Sequence, residues 1–127
     1  MSNTLQKILY VEDDESIAEI VKMSLEDIGD FEVLHCFSGI TALKEVENFS
    51  PQLVLMDVMM PDMDGPETML RMKAMPSVAD IPIIFMTARA QVQEQKQYMD
   101  LGAIGVIVKP FDPITLCDRI RDMWEKS

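Results

Sequence analysis

The sequence predicts an α/β fold, a doubly wound parallel sheet of five strands covered on both faces by five helices. Three observations predict it. Five short apolar runs alternate along the chain with five longer segments of helical spacing, the repeat of strands joined by right-handed crossover helices. Three of those runs, Ile8-Leu9-Tyr10-Val11, Leu53-Val54-Leu55-Met56 and Ile83-Ile84-Phe85-Met86, are apolar without a break, as strands buried on both sides must be. Finally, 48% of the 127 residues are hydrophobic, which supplies a core for one ordinary domain and leaves no room for a second.

The strands are expected at Lys7–Val11, Glu32–Cys36, 53–56, 83–86 and Gly105–Val108. Glu32–Cys36 is the most polar and reads as an edge strand. The first helix places Ile17, Ile20, Val21, Ser24, Leu25 and Ile28 on one face and stops at Gly29. The second carries the stripe Ile40, Leu43, Val46 and Phe49, with Pro51 after its end. The third opens at Pro66, where the missing N–H costs nothing, and closes before Pro76. The fourth, 91–101, has Gln at every second position from Gln91 to Gln97, which imitates a strand. Its length and the spacing of Val92, Gln95 and Met99 favour a helix, with a thin apolar face that makes it easy to shift. The last begins near Pro113 and buries Leu116, Ile120 and Met123. Five such strands suit the flavodoxin-like order 2-1-3-4-5, a three-layer sandwich whose switch point lies between strands 1 and 3.

With 22 acidic against 11 basic residues the net charge is -11. Such a chain is repelled by nucleic acid and anionic membranes, so direct binding to either is not expected. No apolar run approaches the roughly 20 residues that span a bilayer. The polar start Met1-Ser2-Asn3-Thr4 has no signal-peptide pattern, and the expected location is cytoplasmic. Cys36 and Cys117 lack any metal-finger spacing and read as reduced, buried thiols.

The chemistry sits at the strand ends. Strand 1 runs into Glu12-Asp13-Asp14, strand 3 into Asp57, strand 4 into Thr87-Ala88 and strand 5 into Lys109-Pro110. In an open parallel sheet these ends share one edge, and ligands bind in the crevice there. Strands 1 and 3 are neighbours in the expected order, so Glu12, Asp13 and Asp57 crowd together. Three carboxylates at such range need a proton or cation between them. An oxygen-rich, partly open site suits Mg2+, with Mn2+ as a substitute. Lys109 adds a positive charge and Thr87 a hydroxyl, while Asp14 reads as the cap of the first helix.

Together these residues resemble the response-regulator receiver domain, the CheY-like family of bacterial two-component signalling. The resemblance runs from Ile8 to the final helix. It rests on Ile8-Leu9-Tyr10-Val11-Glu12-Asp13, on Asp57-Val58-Met59-Met60-Pro61 with Asp64-Gly65, on Thr87-Ala88 and on Lys109-Pro110-Phe111. It implies that Asp57 is the nucleophile that takes a phosphoryl group from a phosphohistidine on a sensor histidine kinase or histidine phosphotransfer protein. It implies Mg2+ held by Asp13, Asp57 and the backbone carbonyl of Met59, with Glu12 acting through water. Lys109 and Thr87 would contact the phosphoryl group, assisted by backbone N–H groups near Met59 and Ala88, and Lys109–Pro110 would be cis. Residues 1–127 are expected to form a single receiver domain, its core at about 6–126 and with no output domain among them, either as a single-domain protein or as the receiver of a longer one. It is a switch rather than an enzyme in the usual sense, catalysing its own phosphorylation and slow dephosphorylation and meeting a downstream protein through its α4-β5-α5 face.

Three positions depart from the family pattern. Val106 stands where an aromatic often precedes the lysine by three residues, so coupling between Thr87 and that aromatic cannot run in its usual form. Output is then expected through the fourth helix and the loop before it. Met59 and Arg89, each two residues beyond a site residue, flank the path of hydrolytic water, and their bulk predicts slow loss of phosphate. Rival readings fare worse. A haloacid-dehalogenase-type phosphatase needs a second Asp where Met59 stands, and a flavin or nucleotide module needs a Gly-rich loop where Glu12-Asp13-Asp14-Glu15 stands. A degenerate receiver acting only as an interaction module is the alternative that Val106 leaves open. Asp62-Met63-Asp64-Gly65 lacks the rest of a calcium loop and reads as the turn into the third helix. His35, the only histidine, reads as a surface residue. The methionines read as core filling, with some on the third helix as a contact surface, and Trp124 as core or interface.

Overall fold

The computed structural model describes residues 4–88 and 91–127. Its five strands are β1 (Lys7–Val11), β2 (Glu32–Cys36), β3 (Leu53–Asp57), β4 (Ile83–Thr87) and β5 (Gly105–Val108). They form one parallel sheet in the order β2-β1-β3-β4-β5. Three strands match the expected bounds, and β3 and β4 each run one residue further, so that Asp57 and Thr87 belong to the sheet itself. The helices are α1 (Glu15–Met23), α2 (Gly39–Phe49), α3 (Gly65–Lys73), α4 (Val92–Leu101) and α5 (Leu116–Glu125).

The sheet separates two apolar layers. On one face Ala18 and Val21 of α1 and Leu116, Cys117 and Ile120 of α5 pack on Ile8, Tyr10, Leu53, Leu55, Ile84 and Ile107. On the other, Ala42 and Val46 of α2, Met69 and Met72 of α3 and Tyr98 of α4 pack on Leu9, Val11, Val54, Met56 and Phe85. All five residues of β3 and of β4 are buried, as their unbroken apolar runs require. Each fully buried Leu or Ile contributes roughly 1.5–3 kcal/mol, so the two central strands are the most firmly held part of the edge on which the site stands.

Helix starts follow their sequence signals. Asp14, Ser38 and Asp64 cap α1, α2 and α3 by accepting the N–H of Ile17, Thr41 and Glu67. Asp62-Met63-Asp64-Gly65 is the turn into α3, as expected. The expected last turn of α1 widens into a π-helical turn, Ser24–Ile28. There the Ser24 carbonyl accepts both Gly29 N–H and the Cys117 thiol, at 3.1 and 3.3 Å, while the Ser24 hydroxyl donates to Pro113 O at 2.5 Å. These tertiary bonds to the segment around α5 outweigh ordinary i→i−4 pairing.

Several helix faces differ from expectation. Ile20 and Ile28 of the first stripe and Ile40 of the second are about half exposed. On α4, Val92 is 80% exposed and Met99 44%, and the residue that anchors the helix is Tyr98, edge-on to Phe85 with centroids 5.4 Å apart. An aromatic ring buries more area than Val or Met and reaches the sheet from a helix with few other apolar groups. The thin apolar face of α4 is real. The methionines of α3 that lie inward, Met69 and Met72, are core. Trp124 is half-buried against the α1/α5 layer and donates its indole N–H to Gln52 O at 3.3 Å. Cys36 and Cys117 are free and buried. Among the described residues no helix is long and apolar enough to cross a membrane.

Candidate functional site

Parallel strands deliver their C-terminal ends to one edge, and the first polar residues after the apolar runs meet there. Glu12 follows β1 and is tied to β2 by its N–H, which donates to Cys36 O at 3.0 Å. Asp57 ends β3, and the next N–H, of Val58, donates to Met86 O at 3.0 Å. Thr87 ends β4, and its carbonyl accepts Lys109 N–H at 2.8 Å, which sets the lysine beside it. Gly65 closes the far wall. A Cβ there would stand 2.6 Å from Asp57 O and 3.0 Å from Val58 Cα, so only glycine lets α3 start this close to the acid.

The ammonium of Lys109 bridges two buried acids, 2.8 Å from Asp57 Oδ1 and 3.2 Å from Glu12 Oε1. Glu12 is 1% exposed and Asp57 5%. The second Glu12 oxygen accepts Asp14 N–H at 3.3 Å. Asp13 is exposed, and one oxygen from each of Glu12, Asp13 and Asp57 lies within 4.8 Å of the others. The expected gathering of Glu12, Asp13, Asp57 and Lys109 is therefore present. Met59, 61% exposed, lies two residues beyond Asp57 at the mouth. Ala88 is exposed beside Thr87. Arg89 lies outside the described residues. Val106 belongs to the opposite layer, register partner of Phe85 and packed on the α2–α4 side. Lys109–Pro110 is cis.

The electrostatics follow from this crowding. Burial and then the Asp57 charge push Glu12 from its ordinary 4.5 up to about 7, against the pull of Lys109. Burial likewise raises Asp57, offset in part by Lys109 and increased by Asp13. Burial disfavours the charge on Lys109, but its hydrogen bonds and attraction to Asp57 and Glu12 outweigh that and raise it. One lysine thus faces more negative charge than it neutralises, with the exposed carboxylate of Asp13 at the opening. An all-oxygen set of this kind, strained by like charge and open on one side, fits Mg2+.

In the metal-free protein this crowding makes stability depend on pH. An acid raised in the folded state binds its proton more tightly there than in the unfolded chain, so its contribution to stability falls as pH rises from about 4.5 through about 7 and levels off above. Glu12→Gln, which cannot ionise, is expected to gain stability on wild type across that window. Urea unfolding of both proteins at pH 5 and pH 8 checks it, and a stability difference independent of pH would count against the assignment.

Comparison with known proteins gives this arrangement its family. A family model of the response regulator receiver domain matches residues 8–121, nearly the whole chain. The chain belongs to that family. Among curated relatives, the "DNA-binding dual master transcriptional regulator RpaA" of Synechocystis is 31% identical over 97% of this chain and 51% of its own length. The "Probable transcriptional regulator ycf27" of Galdieria sulphuraria is 40% identical over 91% of this chain and 44% of its own. The chain thus spans about half the length of the curated relatives it matches. Among solved structures, the chemotaxis response regulator CheY4 of Vibrio cholerae superposes with a TM-score of 0.86 at 29% identity, covering 94% of this chain and 99% of that one. The receiver fold of two-component response regulators, expected from the motifs, is what the chain adopts.

Three features of this receiver site escaped sequence reasoning. His35 is half-buried rather than a surface residue, with its Nε2 2.9 Å from Glu12 O. Tyr10 lies directly beneath the acids, with its hydroxyl buried and unpaired among the described residues. Spacing offered a signal for Tyr10, since it stands two residues before Glu12 in a strand and so shares its face. Nothing in the sequence pointed to Tyr98 as the anchor of α4.

Proposed function

We propose that this receiver domain accepts a phosphoryl group on Asp57 and changes its surface for a partner in response. The observation that carries the reading is Asp57 itself, a buried carboxylate at the end of a central strand, 2.8 Å from Lys109 and inside a three-carboxylate cluster. In transfer from a phosphohistidine, an Asp57 oxygen forms the new bond to phosphorus as the N–P bond breaks, and the imidazole leaves without needing a general acid. Phosphoryl transfer needs in-line positioning and charge neutralisation above all. Glu12, Asp13, Asp57 and the Met59 backbone carbonyl would hold Mg2+, or Mn2+ in its place. When bound, the ion neutralises charge on the carboxylates and on the transferred group. Lys109 then moves its hydrogen bonds from the Asp57 carboxylate toward the phosphoryl oxygens, and Thr87, at the end of β4, donates its hydroxyl from the adjoining strand.

The donor surface adjoins the site. An apolar groove of about 420 Å3 runs from Ile17 and Ile20 of α1 across Ala88 to Pro110, Phe111 and Pro113, and Lys109 lies along it. The exposure of Ile20, unexplained by the core, fits an apolar helix of a sensor kinase or phosphotransfer protein laid beside Asp57. On the output side, α4 is fastened mainly by Tyr98 and exposes Val92, Met99 and Leu101. That supports signalling through the α4-β5-α5 face with Val106 in place of a moving aromatic. The net charge of -11 supports a protein partner over direct contact with nucleic acid.

Incubation with acetyl phosphate, read by intact mass, tests the reading. One phosphoryl adduct is expected with Mg2+ and none with excess EDTA. Absence of the adduct with Mg2+ present would favour the interaction-module alternative. Lifetime supplies a second prediction: with Met59 exposed two residues beyond Asp57 and Arg89 two residues beyond Thr87, the wild-type adduct should outlast that of a double Met59→Asn, Arg89→Glu variant by about 10-fold, the scale of a barrier change near 1.4 kcal/mol. Phosphate release after removal of donor measures it, and faster loss from wild type would refute it.

A further inference from the structure

We infer that Tyr10 and His35 form a positioning pair that holds the acidic turn at Glu12 and Asp13 in its metal-binding arrangement. The inference rests on the proposed metal site and adds to it two residues from β1 and β2 that touch neither ion nor substrate. Tyr10 and His35 are register partners on adjacent strands, and their rings stack with centroids 5.3 Å apart and planes 28° apart. Phe37 also packs on the imidazole, tilted by 57° with centroids 4.2 Å apart. A ring in contact with two others has little freedom, so the bond it makes is directional. That bond goes from His35 Nε2 to the Glu12 carbonyl at 2.9 Å. A carbonyl only accepts, so Nε2 carries the proton. The peptide it grips joins Glu12 to Asp13, the exposed acid of the cluster.

Tyr10 faces the same residue from below. It is fully buried, and its hydroxyl has no hydrogen-bond partner among the described residues. Every other position of the inward-facing β1 run is filled by an aliphatic side chain, and an unpaired hydroxyl in such a place lowers stability. Glu12, two residues on, shares its side of the strand, and toward a carboxylate a phenol hydroxyl donates. Glu12 has acceptor capacity to spare. One oxygen takes Lys109 and the other Asp14 N–H, and a carboxylate offers about four acceptor positions. With a cation among the carboxylates, Lys109, now shared between two acids, would be repelled from Glu12, which then lacks that partner. Tyr10 is then the donor that keeps its carboxylate in place.

Calorimetric titration with Mg2+ tests this on wild type, Tyr10→Phe, His35→Leu and His35→Gln. Tyr10→Phe, which keeps the stacked ring, is expected to bind Mg2+ about 10-fold more weakly, the low end of what a supporting residue of a metal site contributes. Its urea midpoint should equal or exceed that of wild type, because an unpaired buried donor has been removed. His35→Leu should weaken binding similarly, and His35→Gln, whose amide nitrogen occupies the place of Nε2, should restore it. In a Glu12→Gln background Tyr10→Phe should have no further effect. Wild-type Mg2+ affinity in both Tyr10→Phe and His35→Leu would overturn the inference while leaving the metal site intact. A wild-type protein that binds no Mg2+ would instead remove the metal reading and this inference with it.

Discussion

Asp57→Asn is expected to take up no phosphoryl group from acetyl phosphate above background, and to unfold at a higher urea concentration than wild type. The two halves come from the same geometry. Asp57 is the acid closest to Lys109, and the fold places it at the end of a strand whose five residues are all buried. An amide at that position offers no nucleophilic oxygen, and neither neighbour replaces it: Glu12 is almost wholly buried, and the ion pairs of Lys109 run to Asp57 and Glu12 rather than to the exposed Asp13. Activity therefore falls by the whole contribution of a covalent nucleophile. Stability moves the other way because burial holds the Asp57 proton more tightly than water would, so that its ionised form strains the metal-free fold. Asparagine removes that charge, and Lys109 retains Glu12. Intact mass and urea unfolding, run on the same preparations, read both effects. A loss of activity accompanied by a large loss of stability would mean that Asp57 holds the fold together rather than serving chemistry.

Lys109→Met is expected to lower the phosphorylation rate by about 100-fold, the scale on which removal of one preorganised electrostatic donor acts. It should also destabilise the protein at pH 8 by about 3 kcal/mol, the lower end for breaking a buried ion pair. The lysine side chain is only 18% exposed and its two partners less, so solvent screens little of the loss. The destabilisation depends on pH with a definite sign. Without Lys109 both acids lose the charge that favours their ionised forms, and their proton affinities rise further above the ordinary carboxylate range. As pH falls from 8 to 5 the two acids take up protons more readily than in wild type, the unpaired charge diminishes, and the difference from wild type should shrink. Mg2+ at saturating concentration should offset part of the pH 8 loss without restoring the rate. Equal destabilisation at the two pH values would contradict the shared role of Lys109 between Glu12 and Asp57.

Most of the fold and the acid cluster was legible because both follow from one regularity. A parallel sheet needs unbroken apolar strands, and the break in apolarity at Glu12, Asp57, Thr87 and Lys109 marks where the strands leave the core. Those breaks are also the site. What was not legible depends on rotation about an axis or on reach between strands. The exposed Val92 and Met99 of α4 show this: a polar-rich helix has several near-equal faces, and the ring of Tyr98 decided among them by reaching Phe85. The end of α1 differs from expectation for a related reason: the Ser24 hydroxyl donates to Pro113 O and the Cys117 thiol donates to Ser24 O, and these tertiary bonds set its π turn. His35 lay hidden because a histidine on an edge strand carries no periodic signal, and its bond to the Glu12 carbonyl depends on a register that only the assembled sheet supplies.

The most direct measurement is the chemical position of the phosphoryl group. Three carboxylates stand within reach of one another, and the sole histidine touches the same turn, so an adduct seen only as added mass does not say which atom carries it. Borohydride reduces an acyl phosphate to the alcohol, and peptide mass mapping of protein loaded with acetyl phosphate and Mg2+ then reports the residue. A single reduced side chain at Asp57 is predicted, with Glu12, Asp13 and His35 unmodified. Reduction at Glu12 or Asp13, or a phosphoryl group retained on His35, would contradict the account.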